Sequence, residues 1–342
     1  MLDKPDSKAH VPLVTVAIPT FNRASFLPGA LTSALNQTFR DFELLVIDDC
    51  SSDSTQSIVH SFGDCRIKYV RNATNLGMTA NWNKSFDIAS GQLVSLLHDD
   101  DRWSPTFLER TVALFRENPE IAYVYARTQA IKEDGVVLGR GKLGLPKKDC
   151  VMSAAEAVDR MVRRCEVSCD CVLVRRGALA AIGGFRDRWP FPMDWEAWIK
   201  MAARFPVGFV SEILGRHSEH AGQLSEYYQQ TPLAIGKEWY GMLRETISEL
   251  PLSKARRDHL MKAAMVALAQ TQIVTGWDFA VGGDGRRART EGRFAFAIDS
   301  KVAWRAPLLV TAMFTGSFLP ASILRQLDRF RGLARPLFRR DL

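Results

Sequence analysis

VTVAIPTFNRASFLPGALTSALNQTFRDFELLVIDDCSSDST, residues 14–55, holds two apolar runs separated by a segment of helical period. Leu13–Pro19 is a short continuous apolar run with β-branched members, which predicts a strand covered on both faces. Ser25–Asn36 places Phe26, Leu27, Ala30, Leu31, Ala34 and Leu35 on one helical face. Phe42–Ile47 then returns as a second strand. Strand, helix and strand in this order predict a βαβ unit and a parallel sheet.

The alternation continues outward. A helix over about Ser54–Phe62, a strand Ile67–Val70, a helix over about Asn81–Ala89 closed by Gly91 and a buried strand Leu93–Leu97 follow. Ser104 and Pro105 have the residue types of an N-cap and first helical position for a helix over about Thr106–Asn118, and Ala122–Arg127 returns as a strand. Beyond it the pattern loosens: a hairpin turn at Glu133-Asp134-Gly135, a helix Ser153–Arg164, a strand Val167–Arg175 and a Trp-rich helix Asp194–Arg204. From about Thr231 the pattern is almost wholly helical. The expected class is α/β, a Rossmann-like, mostly parallel sheet flanked by helices. The expected organisation is a catalytic domain over 1–228, with nucleotide binding in about 12–130 and the acceptor side in about 150–228, followed by a helical region over 229–342.

The 342 residues carry a net charge of +7. From Lys301 onward eight basic residues face only Asp328 and Asp341, so nearly all of the excess is terminal. A terminal excess without interleaved aromatic platforms argues against a nucleic-acid binder. Ala306–Leu324 has no charged residue, and in Ile323–Phe338 the residues Leu324, Leu327, Phe330, Leu333 and Leu337 recur at helical spacing among arginines. That is the pattern of a basic amphipathic helix lying on an anionic membrane surface; the alternative is packing on the catalytic domain or on a second subunit of a homo-oligomer. The polar start MLDKPDSKAH has no apolar run behind a basic head, so a cytoplasmic location, peripheral on the membrane's cytoplasmic face, is expected.

Six cysteines give no disulfide framework, and the Cys169-x-Cys171 spacing suits one face of a strand, so buried thiols are expected rather than zinc. Gly139, Gly141 and Gly144 match the dinucleotide-binding GxGxxG, but no strand ends before them and no helix opens at them, so a loop is expected.

Two acidic clusters carry the chemistry. Asp48-Asp49 ends the strand Phe42–Ile47 and Asp99-Asp100-Asp101 ends Leu93–Leu97, so both lie on the rim at the carboxyl ends of the strands, where ligands bind in such sheets. Three consecutive aspartates repel one another unless a cation or basic group compensates, and hard divalent ions prefer oxygen ligands, which points to Mn2+ or Mg2+ with a phosphorylated ligand; the alternative is an acidic turn that caps the helix beginning near Pro105.

The quoted stretch strongly resembles the start of family-2 glycosyltransferases with the GT-A fold. NLGMTANWNKSFDIASGQLVSLLHDDDRWSP (75–105) resembles their donor-loop and DXD region, GALAAIGGFRD (177–187) their acceptor-side Gly-Gly-Phe turn, and MDWEAWIKMA (193–202) their catalytic helix. The resemblance covers about residues 12–225. It implies an inverting, metal-dependent transfer from a UDP-, dTDP- or GDP-sugar to a glycan or lipid-linked acceptor in cell-envelope polysaccharide synthesis. By the same resemblance Thr20, Phe21 and Asn22 flank the nucleotide base, Asp49 accepts a hydrogen bond from it, and Asp48 supports that loop. Asp99 contacts the ribose or the metal shell, Asp100 and Asp101 belong to the metal site, and Asp194 is the general base. Where relatives carry Asp-x-Asp-Asp this chain reads His98-Asp99-Asp100-Asp101, and Trp82 replaces an Arg, leaving Asn83 or Lys84 to supply polar contacts to the donor. RHSEHAGQLS (216–225) resembles a segment whose His, here His217, reaches the metal or diphosphate. Trp189, Trp195 and Trp198 are candidates for a sugar-stacking face, with Trp198 at core spacing. The alternatives are a sugar-nucleotide nucleotidyltransferase, which the absence of a Gly-rich basic loop after the first strand disfavours, and a non-catalytic nucleotide- or carbohydrate-binding module, which Asp194 disfavours.

Overall fold

The structure, a computed structural model, describes residues 10–132, 137–138, 144–220, 231–302 and 310. The chain divides into two compact units, Met1–Val158 with Cys165–Ala221, and Asp159–Arg164 with Gly222–Leu342.

The first unit is a nine-stranded mixed sheet with helices on it. Its strands are β1 (Val14–Thr20), β2 (Phe42–Asp48), β3 (Ile67–Arg71), β4 (Leu93–Leu96), β5 (Arg102–Trp103), β6 (Tyr123–Lys132), β7 (Cys150–Met152), β8 (Val172–Arg175) and β9 (Val207–Glu219). They run in the order β3-β2-β1-β4-β8-β6-β9-β5, with β7 also on β9. The half β3-β2-β1-β4 is parallel, as the strand-helix-strand pattern predicts, and β6 pairs β9 in parallel. β8 enters antiparallel between β4 and β6, and thereby joins the parallel half to the remainder.

The helices of the parallel half are α1 (Leu27–Leu35), α2 (Thr55–Ser61) and α3 (Met78–Asp87), followed by α4 (Phe107–Glu117). Leu27, Ala30, Leu31 and Ala34 of α1 pack with Val14, Val16 and Ile18 in one apolar core that also takes in Trp103, Phe107 and Val112. Removing such side chains from water is the main stabilising term of the unit. Two local expectations are corrected. Gly91 does not close a helix, since α3 ends at Asp87; a Cβ at Gly91 would lie 2.6 Å from Thr15 N, so glycine lets the chain pass close beside β1. The N-cap position of α4 is Thr106 rather than Ser104, and the Gln37 side chain satisfies its first turn by accepting from Leu108 N at 3.0 Å and donating to Ser104 O at 2.8 Å.

A third correction concerns the cysteines. Cys169–Cys171 form a 3-10 turn, and the strand begins only at Val172, so Cys169 and Cys171 do not share a strand face. Both are buried free thiols. The turn segment 133–136, Gly139 and Gly141 lie outside the described residues, although an antiparallel bridge joins Ile131 to Val137. α5 (Ala154–Met161), α6 (Arg176–Ala180) and α7 (Met193–Ala202) complete the sequence up to β9.

The second unit contains α8 (Pro232–Glu249), α9 (Lys254–Val281) and α10 (Gly285–Ile298). Ala269, Ile273 and Trp277 of α9 pack with Ala295 of α10 and with Val302 and Val310. No helix among the described residues is long and apolar enough to cross a membrane. The basic amphipathic stretch of 323–338 lies outside them.

Candidate active site

The carboxyl ends of β1, β2 and β4 meet at one rim, and their loops are tied there by the acidic residues themselves. Asp48, at the end of β2, accepts from Ser51 N at 2.7 Å and from the Tyr69 hydroxyl. Burial and that bond together push the Tyr69 phenol up. Asp49 accepts from Asn72 Nδ2 at 2.7 Å, Leu76 N at 2.8 Å and Gly77 N at 2.9 Å, so its carboxylate gathers the whole 72–77 loop. Asn72 is itself held by Lys84 Nζ at 2.6 Å and by Asn81. Opposite, Asn22 adopts φ 53° and Cys50 φ 69°, unusual backbone for residues with a Cβ, on the two loops that leave β1 and β2. The Asn22 side chain accepts from Ser52 N, and Ser51 Oγ accepts from Asn22 N, so the two loops brace one another. Thr20 is buried beneath them, while Phe21 is 45% exposed and offers a free ring at the rim.

At the end of β4 the three aspartates have separate surroundings. Burial pushes the Asp99 carboxyl up to about 6; the Thr20 hydroxyl opposes this, Asp100 reinforces it, and Arg23 and His98 oppose it. Asp100 receives Arg23 Nη1 at 2.7 Å and His220 Nε2 at 3.0 Å. The His220 ring stacks on Phe26 with centroids 4.3 Å apart, so both partners of Asp100 are seated against the start of α1. Asp101 is 0% exposed and accepts from Ser218 N at 2.9 Å, with His98 Nδ1 and His217 Nδ1 each 3.4 Å away. Burial would raise Asp101, but the two imidazoles hold it well below the usual carboxylate range. In return, hydrogen bonding to Asp101 raises His217 to about 9, and the same carboxylate outweighs burial at His98 and holds it well above the usual value.

Among the described residues two groups of ligand atoms lie close enough to hold a metal ion: His98 with Asp100 and Asp101, and Asp101 with Asp170 and His217, each within 4.8 Å. Asp100 and Asp101, expected at a metal site, thus meet His98 in one group, and His217 meets Asp101 in the other. The sequence reading did not single out Arg23, Asn72 or Asp170, and it left His220 open beside His217. Arg23 had a signal, a lone cation in the loop after β1; the others are brought in by strand pairing or by the loop's own folding.

Asp194 stands half-buried in the first turn of α7, and its Oδ1 accepts from Trp195 N at 2.7 Å. The buried Cys169 thiol, pushed up to about 12 chiefly by burial, feels the His98 imidazole and the Asp194 carboxylate together. The helix that carries the general-base candidate is tied to the acidic rim despite nearly a hundred intervening residues. The link is built on α3. Thr79 Oγ1 reaches Met193 Sδ at 3.0 Å, Trp82 stacks on His98 at 5.4 Å, and Trp82 meets Phe185 edge-on at 5.5 Å.

Asn83 has a different place from the one expected. Its amide donates to Phe185 O at 2.8 Å and accepts from Phe185 N at 2.9 Å, so it clasps the Gly-Gly-Phe turn rather than facing a donor. Gly184, at φ 77°, has Asn83 Oδ1 only 2.8 Å from where a Cβ would stand. Trp195 and Trp198 are core residues and offer no stacking face; Trp189 alone of the three is half-exposed. Under the α7 helix, Glu196 pairs with Arg186 and with Lys200 at 2.9 Å, fixing the turn to the helix.

Residues 15–152 match the family described as Glycosyl transferase family 2. The chain is 30% identical over 167 residues to the UDP-Glc:alpha-D-GlcNAc-diphosphoundecaprenol beta-1,3-glucosyltransferase WfgD of Escherichia coli, a match covering 49% of this chain and 62% of that protein. The chain thus spans less than two thirds of that relative's length. S. aureus TarS 1–349, solved with UDP-GlcNAc, shares the fold with a TM-score of 0.61 at 17% identity, covering 92% of this chain and 91% of that one. The mannosyltransferase PcManGT of Pyrobaculum calidifontis, solved with GDP-Man and Mn2+, superposes with a TM-score of 0.54 at 15% identity, covering 94% and 88%. With its parallel β3-β2-β1-β4 half and its acidic rim, the sheet-bearing unit has the GT-A fold, and residues 15–152 of it are similar to glycosyltransferases of family 2.

Proposed function

We propose that the sheet-bearing unit transfers a sugar from a nucleoside-diphosphate donor to an acceptor hydroxyl with inversion at the anomeric carbon, in the assembly of a lipid-linked envelope glycan. The observation that carries the reading is the tie between the helix of Asp194 and the rim through α3, where Thr79 meets Met193 and Trp82 stacks on His98. The rim provides the donor side. Phe21 offers a ring face for a base, and Asp49 holds the 72–77 loop over the same region, with one lone pair of Oδ2 still able to accept. The lipid-linked acceptor follows the activity named for the WfgD relative, and the nucleotide donor follows the ligands of the TarS and PcManGT structures.

The oxygen-rich donor set of Asp100, Asp101 and the adjoining imidazoles suits Mn2+ or Mg2+. Such an ion would supply positive charge where the departing diphosphate accumulates negative charge. Arg23, paired with Asp100, stands ready to meet the same phosphates. Asp194 takes the proton from the acceptor hydroxyl as it attacks the anomeric carbon. One displacement, with no covalent sugar intermediate, inverts that centre.

The test is a screen of UDP-, dTDP- and GDP-sugars with Mn2+ by thermal shift, followed by transfer assays on the Asp194→Asn protein. The expected result is a donor-induced rise in Tm retained in the variant, with kcat reduced ~10²–10⁴-fold. Transfer at a near-normal rate removes Asp194 from the base role, and pyrophosphate as the product would instead identify a nucleotidyltransferase.

A further inference from the structure

The helical unit has a cleft of its own, of ≈ 530 Å³, lined by residues of that unit alone, among them Thr231, Leu233, Asp284, Arg286, Thr290 and Glu291. Its walls are the first turns of α8, 18 residues long, and α10, 14 residues long. Neither first turn contains an acidic residue, and α8 has no side-chain cap. The uncapped positive end of α8 therefore faces this space, beside an α10 start whose N-cap is Asp284.

α10 brings three arginines to the same region against the single carboxylate of Asp284. Arg286, Arg287 and Arg289 crowd the end of the helix where the dipole favours anions. Asp284 answers Arg287 only, accepting from its backbone N at 2.9 Å and lying 3.5 Å from its Nε. Arg286 is exposed at the mouth and has no ion pair among the described residues.

A second observation is independent of the helix ends. Glu291 lines the same cleft, is only 2% exposed, and its Oε2 is sealed without a hydrogen-bond partner. Burial alone raises its carboxyl to about 7. A buried polar group without a partner is costly, and a ligand bearing a hydroxyl relieves that cost. The cleft thus asks for an anion at one end and a neutral hydrogen-bonding group at the other.

We propose that this cleft binds a sugar phosphate, with the phosphate at Arg286 and the start of α8 and a sugar hydroxyl on Glu291. The site is separate from the acidic rim and does not depend on the reaction assigned there. Its chemistry fits either a soluble sugar phosphate or the phosphorylated headgroup of a glycolipid.

Calorimetric titration of the full chain with glucose 1-phosphate, inorganic phosphate and glucose tests the assignment, with phosphatidylinositol vesicles as the lipid arm. Saturable glucose 1-phosphate binding is expected, retained in Asp100→Ala, weakened about tenfold or more by Arg286→Ala, and weakened about tenfold by Glu291→Met with little change for inorganic phosphate. Stronger pelleting with phosphatidylinositol than with phosphatidylserine vesicles, a difference that Arg286→Ala removes, would assign the lipid headgroup as the source; glucose 1-phosphate binding with equal pelleting on both vesicles would assign the soluble form. The proposal is overturned if neither probe binds, or if binding is unchanged in Arg286→Ala. Because Arg286 is exposed, that variant decides the matter even where Glu291→Met fails to fold.

Discussion

Replacing Asp101 by alanine separates the two duties assigned to the triple-aspartate loop. Asp101 has no exposed surface, and its carboxylate holds Ser218 N at 2.9 Å with two imidazole nitrogens at 3.4 Å. Water cannot replace it. A hydrogen bond to a charged group contributes ~1.5–3 kcal/mol, and removing one partner of a buried pair costs ~3–5 kcal/mol because the remaining charges stay buried. The expected loss is therefore about 3–5 kcal/mol, which at ~2–4 °C per kcal/mol for a domain of this size lowers Tm by roughly 6–20 °C. Asp100→Ala is the contrasting case. It removes a partly exposed pair with Arg23, worth about 0–1 kcal/mol, and one hydrogen bond from His220, and should lower Tm by less than Asp101→Ala while abolishing Mn2+-dependent nucleotide affinity. Circular dichroism melts and calorimetry on both proteins decide the matter. An Asp101→Ala protein melting within ~2 °C of wild type would refute the view that Asp101 fastens β9 to the rim.

Gly91→Ala should destabilise the sheet-bearing unit by about 1–3 kcal/mol, since the new Cβ meets Thr15 N at 2.6 Å and Val14 C at 2.7 Å in the backbone of β1; an unchanged denaturant midpoint would contradict it. Glu291 is held up at about 7 by burial, above its unfolded value of 4.5, so its contribution is full below pH 4.5 and is lost as pH rises through 7. Glu291→Gln should remove that slope and leave the variant up to about 3 kcal/mol more stable than wild type above pH 8, as read from urea melts across pH; parallel profiles would refute the burial account. For the basic tail, we propose surface attachment to anionic lipid. Full-length protein should pellet with anionic vesicles in a salt-sensitive manner and a chain lacking 301–342 should not, whereas equal pelleting of both sinks the idea.

Much of the site was legible because its members end strands. Asp48-Asp49 and Asp99-Asp100-Asp101 directly follow apolar runs, and a parallel sheet places such ends on one rim whatever the tertiary detail. Asp194 is found through the resemblance of its helix, which the structure ties to the rim through Thr79 and Trp82 of α3. Asn83 and Trp195 were misjudged for one reason: residue type shows what a side chain can bond, not what occupies it. The backbone of Phe185 satisfies Asn83, and the core encloses Trp195. The cysteine turn was misread because Cys169–Cys171 sits directly before a strand and shares its apolar character.

By itself the sequence determined the βαβ alternation, the parallel half of the sheet and the acidic rim, since side-chain period and strand-end position are local properties of the chain. Tertiary structure alone decided the rest. Antiparallel β8 enters between β4 and β6, Arg23 and His220 converge on Asp100, Asp101 is buried between two imidazoles, and Glu291 is left without a partner in the helical unit. Each depends on contacts between residues far apart in the chain, and only packing determines which charges lose water and which find a partner.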